Sequence, residues 1–196
     1  MQKKKLTSRQ AQAIKTRNKI YNIAFDLMKK KGFGNITIED ISKKAGVSVG
    51  AFYHYFKSKN DILFEIYHRA DEYFQENVEN KLTSENSLDQ MEEFLQHYAK
   101  YANSTGIDFS KQLYNTENKF FIKKDRYMLT ILQDIIRTGQ EKNEVISDMT
   151  PEEITDYLFI AARGVIFNWC LHDGEYDLEE KMCGFFKRLI VIFAKK

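Results

Sequence analysis

The sequence contains few of the residues that interrupt a helix or close a β-hairpin. One proline and nine glycines occur in 196 residues, and these two residue types most often end helices. Alternating runs of β-branched residues are nearly absent, and no Asn-Gly or Asp-Gly turn separates any such runs. The sequence therefore predicts an all-α protein of about nine helices.

Cysteine and long apolar runs are also scarce. Cys170 and Cys183 are too few for a disulfide framework, so buried free thiols are expected, with a redox pair as the alternative. No uninterrupted apolar run reaches the roughly 18 residues of a transmembrane helix, so no membrane partner is expected. The first residues lack the apolar stretch of a secretory signal. These absences predict a protein of the reducing cytoplasm.

Motifs of catalysis and of metal binding are missing from the sequence. It has no H-E-x-x-H, no G-x-S-x-G and no glycine-rich phosphate loop. The four histidines, His54, His68, His97 and His172, are scattered along the chain. We therefore expect that the protein is not an enzyme and that it has no catalytic residue, no metal ion and no cofactor.

The small net charge of +2 conceals a strong separation of charge along the chain. Residues 1–60 contain 14 Lys and Arg against 3 Asp and Glu, whereas residues 61–196 contain 16 against 25. A basic end on an acidic body favours nucleic-acid binding at the basic end. The alternative is that Lys3–Lys5 and Lys29–Lys31 are ordinary solvated charges.

Residues 36–60, ITIEDISKKAGVSVGAFYHYFKSKN, predict two short helices joined by a tight turn. Thr37 and Asp40 can form a capping box at the start of the first helix. Gly46 allows the chain to reverse, and Ser48 can cap the second helix. This is the layout of a helix-turn-helix, whose second helix enters the major groove of DNA.

Further helices complete the predicted organisation. A helix from Ser8 to Lys31 closes a three-helix DNA-binding domain over residues 8–60, and residues 61–196 form a larger helical domain. A connecting helix is predicted from Ser58 to about Lys81. The remaining helices are predicted over 87–102, with Ser87 as cap and a loop at 103–106, then around 109–114, over 119–141, over 150–172 and from 177 to near the end.

Two motifs within residues 16–63 are far more specific than a helix-turn-helix in general. They are T-x-x-x-I-x-x-x-A-G-V-S, beginning at Thr37, and F-Y-x-Y-F-x-S-K, beginning at Phe52. On these motifs the segment resembles the DNA-binding domain of the TetR family of bacterial transcriptional regulators. The rest of the chain is similar to that family in length and helix count only.

The resemblance implies both an architecture and a function. It implies an N-terminal helix-turn-helix domain followed by a larger C-terminal helical domain for ligand binding and dimerisation. It also implies a cytoplasmic bacterial repressor that binds a palindromic operator in double-stranded DNA as a homodimer. A small apolar or aromatic effector would then alter the tilt of the connecting helix and release the DNA.

The residues expected to contact DNA lie mostly on the second helix of the motif. At its start, Ser48 can hydrogen-bond to several bases, Val49 can touch a thymine methyl group, and Gly50 allows close approach. The full predicted set, including the aromatic and phosphate-contacting residues that the resemblance implies, is Thr37, Lys44, Ser48, Val49, Gly50, Tyr53, His54, Tyr55 and Lys59. Because this set has no Arg, Asn or Gln, part of the specificity is expected from Lys15, Arg17 or DNA shape.

Aromatic residues are abundant in the C-terminal domain, and two sites are predicted there. The predicted ligand pocket comprises Tyr98, Tyr101, Phe109, Leu113, Tyr114, Phe121, Met128, Phe159 and Phe167. The predicted dimer interface comprises Tyr157, Ala161, Val165, Trp169, Phe185, Phe186, Leu189 and Phe193. For both sets the alternative is that these residues form the ordinary core of one protomer.

A different class of function remains open at this stage. The chain could be a helical adaptor whose basic end binds an acidic protein or a membrane surface. The run Lys3–Lys5 suits that role. The adaptor hypothesis does not explain why two capping residues flank Gly46, whereas DNA binding does.

Overall fold

The computed structural model describes residues 7–114, 119–123 and 125–196, which fall into two compact units. The first unit ends at Ile66 and the second begins at Tyr67. This division lies later than the boundary expected after residue 60, because the first turns of the connecting helix belong to the first unit. In the described residues the regular structure is helical, with one isolated β-bridge between Val145 and Ala194. The all-α prediction is confirmed.

The helices of the first unit begin at the residues that the capping patterns indicate. Thr7 and Gln10 form a capping box for the first helix, and Thr37 and Asp40 form one for the second. Gly46 takes a left-handed conformation, with φ of 65°, where the second helix ends. The helices are α1, Ser8–Lys31; α2, Ile38–Ala45; α3, Val49–Tyr55; and α4, Lys59–Asn77, whose later part lies in the second unit.

Only one face of α3 packs against the core of the first unit. The side chains at its centre are 2% exposed or less and come from all four helices and the segments between them: Ile20, Ala24, Met28, Ile36, Ile41, Ala45, Phe52, Phe56 and Ile62. Phe52 and Phe56 contact each other with ring centroids 5.8 Å apart and ring planes tilted by 39°. Because these two rings anchor the inner side of α3, the residues between them face outward.

Five helices and two short 3-10 turns form the second unit from Asn86 onward. The helices are α5, Ser87–Thr105; α6, Ile107–Leu113; α7, Tyr127–Glu141; α8, Pro151–Leu171; and α9, Leu178–Leu189. The 3-10 turns are Phe120–Ile122 and Ile190–Phe193. The described residues therefore contain nine α-helices, as predicted.

The single helix predicted over 119–141 is wrong in its first part. The chain instead makes the turn Phe120–Ile122 and begins α7 at Tyr127. The Phe120 and Phe121 rings both contact Tyr67, with centroid distances of 5.1 and 5.3 Å. Consecutive residues of an α-helix point about 100° apart, so a continuous helix would separate the two rings. Tertiary packing overrides the helical pattern here.

Two details around α5 also differ from the prediction. Asn86, not Ser87, caps α5, since its side-chain oxygen accepts a 2.8 Å hydrogen bond from the Leu88 amide. The loop predicted at 103–106 is wrong as well, because α5 continues to Thr105. The Thr105 hydroxyl donates to the Ala102 carbonyl at 2.7 Å, and Gly106 then caps the end of the helix.

Helix α8 passes through the core of the second unit. In the described part of the chain it is the one helix long and apolar enough to span a bilayer, with a mean hydropathy of 1.2 over 18 residues. Half of that window is buried inside the protein. A core helix of a folded domain has the same length and composition, and the buried side of α8 packs against Phe94 and Tyr98 of α5 through Phe159.

Candidate nucleic-acid interface and ligand cavity

The outer face of α3 carries small and aromatic side chains on a rigid support. Val49 is 36% exposed and Tyr53 is 52% exposed. The Ser48 hydroxyl accepts a 3.1 Å hydrogen bond from the Ala51 amide, so its own hydrogen can be donated outward. A side chain added at Gly50 would meet only the Ser48 hydroxyl, at 3.9 Å. The surface therefore has room for close approach of a DNA groove.

The other residues predicted to contact DNA lie around this face. His54 is exposed, and its ring contacts the half-buried Tyr55 edge to face at 5.0 Å. Lys44, on α2, is exposed and can reach a phosphate. Thr37 is exposed, but its hydroxyl already accepts from the Asp40 amide at 3.1 Å. Hydrogen bonds from Thr37 hold the pKa of the Asp40 carboxyl below its usual value.

Lys59, predicted to bind a phosphate, holds the first unit together. Its ammonium group donates to the carbonyl oxygens of Phe33 at 2.7 Å and Ile36 at 2.9 Å. It also lies 4.5 Å from the centre of the Phe33 ring. The start of α4 is thereby tied to the segment between α1 and α2. Sequence reasoning missed this role because backbone carbonyl groups leave no signature in a sequence.

Arg17, expected to help recognise bases, is also occupied within the first unit. Its guanidinium donates two hydrogen bonds of 2.5 Å to the Glu65 carboxylate and lies 5.0 Å from the centre of the Phe56 ring. The Glu65 side chain is only 7% exposed. Lys15, the other basic residue proposed for the arm, is exposed.

A cavity of about 380 Å³ lies in the second unit, between α5, α7 and α8 and the turn Phe120–Ile122. Four of the predicted pocket residues line it: Tyr98, Phe121, Met128 and Phe159. The other lining residues are Ile122, Lys123, Arg126, Leu129, Asp156, Ile160 and Arg163. The wall is therefore mostly apolar, with three cationic side chains and one acid.

Polar groups beside the cavity are fixed by hydrogen bonds. Arg163 donates to the carbonyl oxygens of Phe121 at 2.7 Å and Phe159 at 2.8 Å. The hydroxyls of Tyr98 and Tyr114 lie 3.5 Å apart. Burial raises the pKa of Tyr114 well above its ordinary value, so this phenol stays neutral and can donate.

The remaining predicted pocket residues do not line the cavity. Phe109 and Leu113 are buried in the core, and Tyr101 packs against Tyr73 with ring centroids 5.2 Å apart. Phe167 is 46% exposed on α8, so its prediction as a pocket residue is not supported by its position. A helix as apolar as α8 does not reveal in its sequence which side faces the core.

The predicted dimer residues divide into two groups. Val165, Trp169, Phe186 and Phe193 are 7% exposed or less, so they belong to the protomer core and have no free surface for a partner. Ala161 and Leu189 are half-buried. Tyr157 and Phe185 are 59% and 42% exposed. Exposed apolar residues that the prediction missed are Ile160, Phe167, Leu171, Val191 and Ile192.

On α8 the exposed apolar residues form a stripe. Tyr157, Ile160, Gly164, Phe167 and Leu171 follow one another at intervals of three and four residues, which is the spacing of a helix–helix seam. A Cβ atom added at Gly164 would meet nothing within 4 Å in the same protomer. Contiguous apolar surface of this kind marks an interaction site.

Among the described residues there is no group of three or more His, Cys, Asp or Glu side chains that could hold a metal ion.

Comparison with known proteins agrees with the organisation of both units. Residues 20–66 match the model of bacterial regulatory proteins of the tetR family, and residues 65–192 match that of the C-terminal region of YsiA-like proteins. The chain is 23% identical to the fatty acid metabolism regulator protein of Bacillus subtilis over 168 residues, 81% of this chain and 86% of that protein. It is also 23% identical to the probable acrEF/envCD operon repressor of Escherichia coli, over 86% of this chain and 82% of that one.

A solved structure shows the same fold. The transcriptional regulator FadR from Bacillus subtilis, crystallised in complex with stearoyl-CoA, superposes with a TM-score of 0.70 at 22% sequence identity. The match covers 88% of this chain and 97% of FadR. The curated relatives are named as transcriptional regulators, which is a non-enzymatic role. With a family model that covers most of the chain, and with a helix-turn-helix whose outer face is exposed, this protein belongs to the TetR family of DNA-binding bacterial regulators.

Proposed function

We propose that this protein is a cytoplasmic repressor that binds a palindromic operator as a homodimer and leaves it when a ligand with a large apolar part enters the cavity of the second unit. One observation carries the proposal: α3 presents Val49, Gly50 and Tyr53 outward from a strongly basic segment while Phe52 and Phe56 fix it from behind. A single short helix contacts too few bases for selection of one site in a genome, so two copies are needed.

The exposed apolar surface of α8 and α9 supports the homodimer. Phe167 and Leu171 on α8, Phe185 on α9 and Ile192 in the 3-10 turn after α9 are between 42% and 65% exposed in the protomer. Two pairs of such helices, related by a two-fold axis, would bury these residues as a four-helix bundle. The symmetry of the dimer then matches that of a palindrome.

The cavity supports a ligand with an extended or aromatic apolar part. Its volume of about 380 Å³ lies in the range of small-molecule sites. The wall contains Phe121, Phe159 and Leu129, and the Tyr98 hydroxyl offers a polar contact. FadR, which shares the fold, holds stearoyl-CoA. An acyl thioester of coenzyme A is therefore the first ligand to test.

The test is binding of the purified protein to operator DNA. Genome-wide mapping of bound sites supplies a candidate duplex, and fluorescence anisotropy measures its affinity at several salt concentrations with a scrambled duplex as control. We expect selective, salt-dependent binding by a dimer and loss of binding when stearoyl-CoA is added. Equal affinity for the two duplexes would overturn the proposal, and so would an operator complex that stearoyl-CoA leaves intact.

Two tyrosine variants show whether α3 is the contact surface. Tyr53→Ala removes an exposed side chain of the first unit, and we expect operator affinity to fall about tenfold, equivalent to roughly 1.4 kcal/mol. Tyr127→Ala is the matched control, because Tyr127 is 40% exposed but lies in the second unit. Similar losses in both variants would mean that α3 does not provide the contact.

A further inference from the structure

Arg126 belongs both to the cavity wall and to the attachment of α4. It lines the cavity. Its guanidinium also donates to the Asp71 carboxylate at 3.2 Å and to the Tyr67 carbonyl at 3.0 Å, both on α4. The Arg126 side chain is 11% exposed and that of Asp71 is 24% exposed. Bulk solvent therefore screens this ion pair less than a surface pair.

Asp71 in turn connects α4 to the start of α7. Its carboxylate accepts a 3.2 Å hydrogen bond from the Met128 amide, in the first turn of α7. The residue that precedes α7, Arg126, makes no side-chain capping bond of its own. Asp71 thus provides, from another helix, the negative charge that a helix N-terminus favours. Removal of Arg126 from Asp71 would weaken this junction between α4 and α7.

The cavity is lined by more basic than acidic side chains, although it lies in an acidic part of the chain. Residues 61–196 as a whole have 16 basic and 25 acidic residues. Lys123, Arg126 and Arg163 line the cavity, together with one acid, Asp156. Apolar side chains fill the rest of the wall. This combination fits a molecule with an apolar chain and an anionic head.

We propose that the effector is an amphiphile whose anionic head binds Arg126 in place of Asp71 and thereby loosens α4 from α7. This rests on the proposed function, since it explains how the ligand of that cavity would act on DNA binding. The head group and Asp71 compete for one guanidinium, so the ligand binds better to the state in which the ion pair is open. By reciprocity, operator binding, which favours the closed state, weakens ligand binding by the same factor. Helix α4 begins at Lys59 in the first unit, which carries α3.

The first experiment separates the head from the chain. Lauroyl-CoA, laurate and dodecanol share one alkyl chain and differ in head: a phosphate-bearing thioester, a carboxylate and a neutral hydroxyl. Binding of each to the full-length protein is measured by calorimetry, and operator affinity by anisotropy at saturating ligand. We expect the anionic probes to reduce operator affinity about tenfold or more and dodecanol to change it less than about twofold. Laurate and lauroyl-CoA then show whether a carboxylate suffices or a phosphate is needed.

The second experiment removes the competing charge. Asp71→Asn keeps an acceptor oxygen for the Met128 amide but loses the negative charge that holds Arg126. We expect the variant to bind the anionic probes severalfold more tightly, and the effect of those probes on operator affinity to shrink to less than about threefold. Asp134→Asn is the matched control, because Asp134 also pairs with an arginine, Arg137, but lies outside the cavity wall. Circular dichroism verifies that both variants are folded.

The outcomes distinguish this proposal from the proposed function. Operator binding by the protein without ligand tests the function alone. If dodecanol releases the operator as strongly as laurate does, the ligand head does not replace Asp71 at Arg126. The same holds if Asp71→Asn keeps both the ligand affinity and the coupling of the wild type. Either result would refute the exchange at Arg126 but not the proposed regulator function. If Asp71→Asn does not fold, Arg126→Gln replaces it; retention of wild-type coupling to laurate in that variant would equally overturn the exchange.

Discussion

Arg17 on α1 and Glu65 on α4 are joined by two parallel hydrogen bonds of 2.5 Å each. The Glu65 carboxylate is almost fully buried, and the Arg17 guanidinium also lies 5.0 Å from the centre of the Phe56 ring. This pair connects the first helix of the DNA-binding unit to the beginning of the connecting helix. A planar guanidinium is suited to such a two-bond contact, which a lysine could not reproduce.

Replacement of Arg17 is expected to destabilise the first unit rather than to alter base recognition directly. Arg17→Met removes two charged hydrogen bonds from the buried Glu65 carboxylate, which costs about 3 kcal/mol. The double variant Arg17→Met/Glu65→Leu removes both charges and should recover most of this loss. Urea unfolding followed by circular dichroism measures both. If Arg17→Met is as stable as the wild type, water stabilises the Glu65 carboxylate as well as Arg17 does, and the prediction is wrong.

The salt dependence of operator binding should separate Lys59 from Lys44. The Lys59 ammonium is bound to two carbonyl oxygens, whereas Lys44 is exposed. Lys44→Gln should lower the slope of log affinity against log salt by about 0.9, the value for one phosphate contact. Lys59→Gln should lower stability by about 2 kcal/mol through the lost charged hydrogen bonds and leave that slope almost unchanged. If the slope of log affinity against log salt changes more in Lys59→Gln than in Lys44→Gln, Lys59 contacts a DNA phosphate directly and the prediction is wrong.

The helix-turn-helix could be predicted from the sequence because its determinants are local. The capping box at Thr37 requires residues only three positions apart, and Gly46 supplies the left-handed backbone of the turn between α2 and α3. Such signals can be recognised within a short stretch of sequence. They fixed the helix bounds and the outward face of α3 without knowledge of the rest of the fold.

The partners of Arg17 and Lys59 could not be predicted, because they lie far away along the chain or belong to the backbone. Glu65 is 48 residues from Arg17, and the carbonyl groups that bind Lys59 are common to all residues. The same limit applies to α8, whose exposed side carries apolar residues among the polar ones. A hydrophobic pattern without a continuous polar face does not reveal which residues line the cavity and which, such as Phe167, remain exposed.

Gly164 offers a direct test of the proposed dimer surface. A Cβ atom added at this exposed position meets nothing within 4 Å in its own protomer, so we expect Gly164→Leu to fold normally and to gain helix propensity of about 1 kcal/mol. If a second copy packs on the α8 stripe, the added side chain blocks close approach, and we expect the dissociation constant of the dimer to rise about tenfold or more. Analytical ultracentrifugation measures the association. Phe167→Glu, which places a charge on the same stripe, should have an equal or larger effect.

A Gly164→Leu protein that remains dimeric would place the interface elsewhere. The comparison with Val191→Glu is then informative, since Val191 is 61% exposed and follows α9 rather than α8. Dissociation of that variant alone would assign the interface to the end of the chain. Operator affinity should follow dimer affinity in every variant, because each protomer binds one half of the palindrome.

The stability of the second unit should depend on pH through His97. The Tyr73 hydroxyl and the His97 Nδ1 atom lie 3.0 Å apart, and Tyr73 donates when the imidazole is neutral. Burial, together with the nearby Lys100, lowers the pKa of His97, although Glu93 opposes the shift. The unfolded chain therefore takes up a proton at a higher pH than the folded protein. The contribution of neutral His97 to the free energy of unfolding is fully present above the pKa of the unfolded chain, about 6.5. It decreases as the pH falls toward the lower pKa of His97 in the folded protein.

Urea unfolding at pH 7.5 and at pH 5.5 measures this dependence. We expect the wild type to be less stable at the lower pH and the difference to diminish in His97→Gln, which keeps an acceptor for the Tyr73 hydroxyl but does not titrate. The carboxyl groups with lowered pKa values, such as those of Glu93, Glu144 and Glu153, titrate below this range and do not interfere. His172→Gln is the control, because His172 is exposed on the surface. If His97→Gln keeps the pH dependence of the wild type and His172→Gln loses it, the effect does not come from His97 and the prediction is refuted.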